Sequence, residues 1–220
     1  MNVYLVPATA GRHELYCEVT SGSSENEAGT GSFRERLVNG FNRMVAEGEA
    51  AIHGEEPDVP GRGRIRKFIT RRVAEAVAEQ RLLWHLRHEA QVQLFHPDDI
   101  SPANAVATAR ALVGGDYAKH RRWLIIDGLI AAVTGPLFFF VPGPNVVSWY
   151  FAFRAIGHFF AMRGASQGLS RATWTTEPSA ELTALRAALT LDLDTRSRRI
   201  DEIAAALGLD RLAWFVAKIA

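Results

Sequence analysis

Pro142, Gly143, Pro144 and Asn145 stand between two long apolar runs and force the chain to turn there. Proline has no N–H and disfavours helix at the residue before it, so neither run continues through the four. The first run, residues 123–141, is about 19 residues, close to the ~20 a helix needs to span a bilayer. The second, residues 146–162, is about 17, at the lower limit. The spacing predicts an apolar helical hairpin over residues 123–162 with the four residues as its turn.

Such a hairpin either enters a membrane or forms the core of a soluble helical domain. Asp127, Arg154 and His158 interrupt it. An Asp or Arg at a helix centre costs roughly 2.5–3.5 kcal/mol on insertion, against gains of about 0.3–0.6 for each Leu, Ile, Phe or Val. Arg154 is mid-run and nearly cancels the gain of its segment, and Pro136 would kink the first helix. The flanks favour the membrane. Lys119, Arg121 and Arg122 precede the first run, Arg163 and Arg171 follow the second, and the turn is uncharged. Basic ends on one side and a neutral turn on the other fit the positive-inside rule. Trp123, Trp149 and Tyr150 suit an interface.

The three interrupting residues form a candidate polar cluster. For helices antiparallel about Gly143 and Pro144, residues whose numbers sum to about 287 are level, which sets Asp127 and His158 within roughly 3 Å in height. Arg154 lies one turn from His158 on the same face. Asp127 could accept from either. An ionisable residue in a membrane or a core is costly unless paired, so simple structural pairing is the first expectation and a proton-sensing role the second.

Around the hairpin the chain reads as mostly α. Residues 2–6 and 14–19 are β-like and predict a small N-terminal β-hairpin, which must pack on something to persist. Residues 20–32 read as a flexible loop, 33–52 as a helix and 53–63 as a linker. The expected division is 1–60, the β-hairpin with its helix and linker, and 61–220, a helical bundle containing the apolar hairpin. Arg62, Arg64, Arg66, Lys67, Arg71 and Arg72 open an amphipathic helix predicted to run to Ala90. With Lys119, Arg121 and Arg122 they are candidate lipid-facing residues, each worth roughly 1 kcal/mol near an anionic surface. Against that, Glu75 and Glu79 dilute the charge and fit a solvated face of a core helix.

Further on, Ser101 and Pro102 start a helix expected to end at Gly114 and Gly115, with Asp116 capping the next. Residues 164–176 read as less regular, and Pro178 as opening a helix through Ala188. The last segment reads as a helix ending at Gly208 and a second opening at Asp210.

Several functions find little support. Lys plus Arg number 25 and Asp plus Glu 24, a balance unlike that of a nucleic-acid binder. The final helix pair offers Leu212, Ala213, Trp214, Phe215 and Val216 where a DNA reader needs polar side chains. Gly29 and Gly31 lack the third glycine and the preceding strand of a phosphate loop. His85, His88 and Glu89 share a helix stretch but do not make HExxH, so surface histidines are favoured over a metal site. Cys17 is the single cysteine, which precludes an intrachain disulfide and fits a reducing compartment. Residues 1–10 lack the basic region of a signal peptide and any arginine of a presequence. No nucleophile–base pair, carboxylate pair or cofactor loop emerges, so neither an enzyme nor a cofactor is expected.

KHRRWLIID (residues 119–127), VPGPN (141–145) and FRAIGHFFAMRGA (153–165) stand out together, with VYLVP, LYCE and IDEIAAALGLDRL more weakly. In these motifs the chain, and its second half above all, resembles the mitochondrial K+-H+ exchange-related family. The resemblance implies association with an inner membrane and an accessory role in potassium–proton exchange, not that this chain is the exchanger. Two spans are too few to enclose a path, so transport would need self-association or other membrane proteins. Without a presequence, a bacterial form with its bulk on the cytoplasmic side is expected. The competing expectation is a soluble α-helical interaction module with no transport role.

Overall fold

The computed structural model describes residues 1–8, 11–18, 82–137 and 146–219. Outside them lie the readings of a loop at 20–32, a helix at 33–52 and a linker at 53–63. So do Gly29, Gly31, the basic residues from Arg62 to Arg72, and the turn Pro142, Gly143, Pro144 and Asn145.

The expected N-terminal hairpin is present as β1 (Asn2–Pro7) and β2 (His13–Tyr16), antiparallel with Leu5 opposite Leu15. Two further strands were not expected. They are β3 (Gln91–Pro97) and β4 (Thr173–Ser179), both parallel to β1, in a four-stranded sheet of order β2-β1-β3-β4. The helix expected to run to Ala90 stops after residue 86, in turns closed by His88 N–H on His85 O and Glu89 N–H on Leu86 O. The next residues alternate, with Val92, Leu94 and His96 buried and Gln91 exposed, and that period of two is a strand. β4 lies at the edge, where Pro178 is tolerated because no neighbour asks for its missing N–H.

Both faces of the central strands are buried. On one, Tyr4 stacks on Phe95 at 4.9 Å, and Tyr4 and Val6 pack against Leu182, Leu185, Ile200, Ile203, Leu212 and Val216. Those residues come from three C-terminal helices. On the other face Val3, Leu5, Val92 and Leu94 are fully buried.

Five helices complete the described fold. α1 (Pro102–Leu137) starts where expected, with Asn104 N–H donating to Ser101 Oγ at 3.4 Å. It does not end at Gly114 and Gly115 but runs through both. Neither has a positive φ, and a helix of 36 residues tolerates the roughly 1 kcal/mol each glycine costs. Asp116 is therefore inside α1, not at a cap. α2 (Val146–Ser170) extends eight residues past the apolar run. α3 (Ala180–Ala188) is capped by Ser179, whose hydroxyl accepts from Leu182 N–H, so the helix opens just after Pro178. α4 (Leu193–Leu207) ends at Gly208, left-handed at φ 66°, with Leu209 N–H returning to Ala204 O. α5 (Leu212–Ile219) buries Leu212 and Val216 in the core, and its Phe215 meets Tyr16 at 4.7 Å.

α1 and α2 together form the crossover between β3 and β4. They run antiparallel: His120 meets His158, Asp127 meets Arg154, and Ser148 Oγ donates to Ala131 O at 3.1 Å. Near its end α2 approaches the helical turn at 82–86 very closely. A Cβ on Gly164 would sit 1.6 Å from Leu83 O, and one on Gly168 2.4 Å from Leu86 Cδ2. Residues 138–141 of the first apolar run lie outside the described residues, and among the described ones no helix is long and apolar enough to cross a membrane. The reason is the polar content. α2 carries Arg154, His158, Arg163 and Gln167 within four turns, and the apolar part of α1 follows Arg121 and Arg122 and contains Asp127.

Candidate functional site

The α1–α2 interface holds a line of buried polar side chains. Asp127 is 1% exposed, and its Oδ2 lies 3.2 Å from Arg154 Nε and 3.4 Å from His158 Nε2. The other ring nitrogen of His158, Nδ1, lies 2.8 Å from Nδ1 of His120. The line therefore runs His120, His158, Asp127, Arg154. All four face the partner helix because 120 and 127 are two turns apart on α1, and 154 and 158 one turn apart on α2.

Arg154 is the exposed end. Its guanidinium carbon lies over the Trp123 ring at 5.6 Å and over the Tyr150 ring at 5.7 Å, two cation–π contacts beside the approach of Nε to Asp127. The contact to Asp127 is ionic rather than a well-formed hydrogen bond, since neither carboxylate oxygen has a partner at hydrogen-bonding geometry. Burial accordingly raises the Asp127 pKa, against the opposing pull of Arg154. Both imidazoles move the other way. Burial lowers His120 to about 4, helped by His158 and Lys119, and lowers His158 to about 4, helped by Arg154 and Lys119. At neutral pH the line holds two neutral rings, one carboxylate and one guanidinium.

The structure thus brings together Asp127, Arg154 and His158. It adds His120, which sequence reasoning missed. The available signal was its spacing of seven residues before Asp127, two helical turns on one face. Lys119, Arg121 and Arg122 lie on the exposed side of α1. They lead into a stripe in which Ile125 is 53% exposed, Leu129 62% and Val133 66%, spaced at one turn each. Among the described residues no group of three or more His, Cys, Asp or Glu is arranged to hold a metal. Past the helical turn at 82–86, Arg87 Nε donates to His88 Nε2 at 2.8 Å.

No curated protein and no solved structure matches the chain. A family model does, over residues 2–171, a span that takes in β1 to β3, the whole of α1 and α2, and the buried polar line between them. The chain belongs to the mitochondrial K+-H+ exchange-related family.

Proposed function

We propose that this chain is an accessory protein of potassium–proton exchange that lies on the inner membrane with its bulk on the cytoplasmic side. In this reading it is neither the exchanger nor an enzyme. Family membership supports the link to exchange. The observation that carries the membrane part is the stripe of Ile125, Leu129 and Val133 beyond the basic group Lys119, Arg121 and Arg122. Burying one such side chain gains about 1.5–3 kcal/mol. Each basic residue adds roughly 1 kcal/mol at an anionic surface. A helix with that pairing lies in the interface and does not span it.

The test has two arms. Purified full chain is floated with vesicles of neutral lipid or of neutral lipid containing phosphatidylglycerol. The full chain should float with the anionic vesicles, and Leu129→Glu with Val133→Glu should reduce the bound fraction at least tenfold. Equal recovery of both proteins in the soluble fraction would remove the membrane reading and favour a stripe that docks another protein. Separately, potassium-driven proton flux is followed in inverted membrane vesicles from cells lacking the chain. Slower flux, restored by adding the gene back, supports the accessory role, and unchanged flux removes it.

A further inference from the structure

The His120–His158 contact constrains where protons sit. Two Nδ1 atoms 2.8 Å apart can attract only if one carries hydrogen and the other a lone pair. If His158 were the donor, its bare Nε2 would face the Asp127 carboxylate at 3.4 Å, lone pair against anion. If His120 is the donor, His158 carries its hydrogen on Nε2, and a partly positive N–H, not a lone pair, lies 3.4 Å from the carboxylate oxygen. Only the second arrangement makes both contacts favourable. His120 is then the Nδ1–H tautomer and His158 the Nε2–H tautomer.

We propose that His120 and His158 are an acid-opened latch, a neutral imidazole pair sharing one Nδ1 hydrogen that fastens α1 to α2. One added proton can be held on His120 Nε2 with the shared hydrogen bond intact. A second leaves two N–H groups facing each other and breaks it. The charged groups acting on the pair are Lys119 and Asp127 on α1 and Arg154 on α2. The two cations oppose protonation and the carboxylate favours it. Desolvation of two rings that are 4% and 8% exposed sides with the cations, so the latch stays closed at neutral pH and its opening belongs to acid. The latch sits between two parts of the helix pair. On one side are fully buried Val113 and Ala161, and on the other is the half of α1 that exposes Leu129 and Val133. Opening it releases the contact where the buried part of the pair gives way to the exposed part.

The wild-type full chain tests this without any substitution. Nitrogen-15 NMR at pH 7.5 should show unlike tautomers at His120 and His158 and a through-hydrogen-bond coupling between the two Nδ1 nuclei. Two like tautomers, or no coupling, overturns the assignment. Hydrogen exchange then reads the latch. Between pH 7.5 and 5, after correction for the intrinsic rate, backbone amides of residues 150–161 should lose protection at least tenfold and stay less protected than those of Val92 and Leu94 throughout. Protection at residues 150–161 that equals that of Val92 and Leu94 at every pH means ordinary global unfolding and overturns the latch. The variant His158→Gln leaves one buried ring and should reduce the pH dependence at residues 150–161 at least threefold. If that variant does not fold, His120→Gln serves the same comparison, and undiminished pH dependence in a folded variant overturns the proposal.

Discussion

Gly164 shows how strictly one position can be held. The backbone carbonyl of Leu83 already occupies the place a Cβ would take, and a backbone atom yields only if the helical turn at 82–86 moves as a body. Gly164→Ala should therefore cost about 3 kcal/mol, the upper part of the overpacking range. Gly168→Ala meets a side chain instead and should cost about 1–2 kcal/mol. Urea unfolding midpoints check both, and equal midpoints for the two variants would contradict the difference drawn here. None of this was legible beforehand, because a close approach depends on a segment eighty residues away. The polar line was partly legible. Asp127, Arg154 and His158 stand out because charge in an apolar run demands a partner. His120 did not, since it falls in a basic, polar stretch where histidine attracts no notice.

The helices and strands divide along the same line between local and distant information. Caps were readable: Ser101 before Pro102 and Gly208 after α4 act as local chemistry requires. Gly114 and Gly115 misled, because a glycine pair ends a helix only when the chain uses a left-handed turn, and here it does not. A Cβ at either meets nothing within 4 Å, so Gly114→Ala and Gly115→Ala should each stabilise the protein by about 0.5–1 kcal/mol. Thermal unfolding of the single and double variants measures this, and a lowered midpoint would show that α1 needs the break after all. β3 and β4 were missed for a different reason. Seven residues of alternation following a helical stretch are a weak signal, and β4 is an edge strand whose exposed residues hide its one buried neighbour. Parallel pairing makes it harder still, since the partner is supplied by a crossover and not by an adjacent turn.

Over the molecule as a whole, the buried groups set how stability responds to pH. His120 and His158 titrate near 4 in the folded chain and near 6.5 in the unfolded one. The unfolded chain thus takes up protons first, so their contribution is complete above about pH 6.5 and is lost as pH falls toward 4. Each ring can remove about 1.4 kcal/mol per pH unit in that window. Asp127 and Asp116 are raised by burial and act with the opposite sign, favouring the folded chain most below the ordinary carboxylate range. Their gain comes where the histidine loss is ending. The unfolding temperature should fall between pH 6.5 and 4.5 and flatten below, and calorimetry across that range decides it. A profile level from pH 7 to 4.5 would contradict neutral buried imidazoles.

The crossover has a consequence for synthesis. Val92 and Thr175 are joined by a hydrogen bond across 83 residues, nearly all of them in α1, α2 and the stretch between. At roughly 5–20 residues per second, a nascent chain carries β3 with an open edge for about 4–17 s before β4 exists. An unpaired strand edge is where chains pair wrongly with one another. Helix segments form in about a microsecond, so α1 and α2 can fold long before β4 emerges. By folding back on each other they shorten the span that β4 must close.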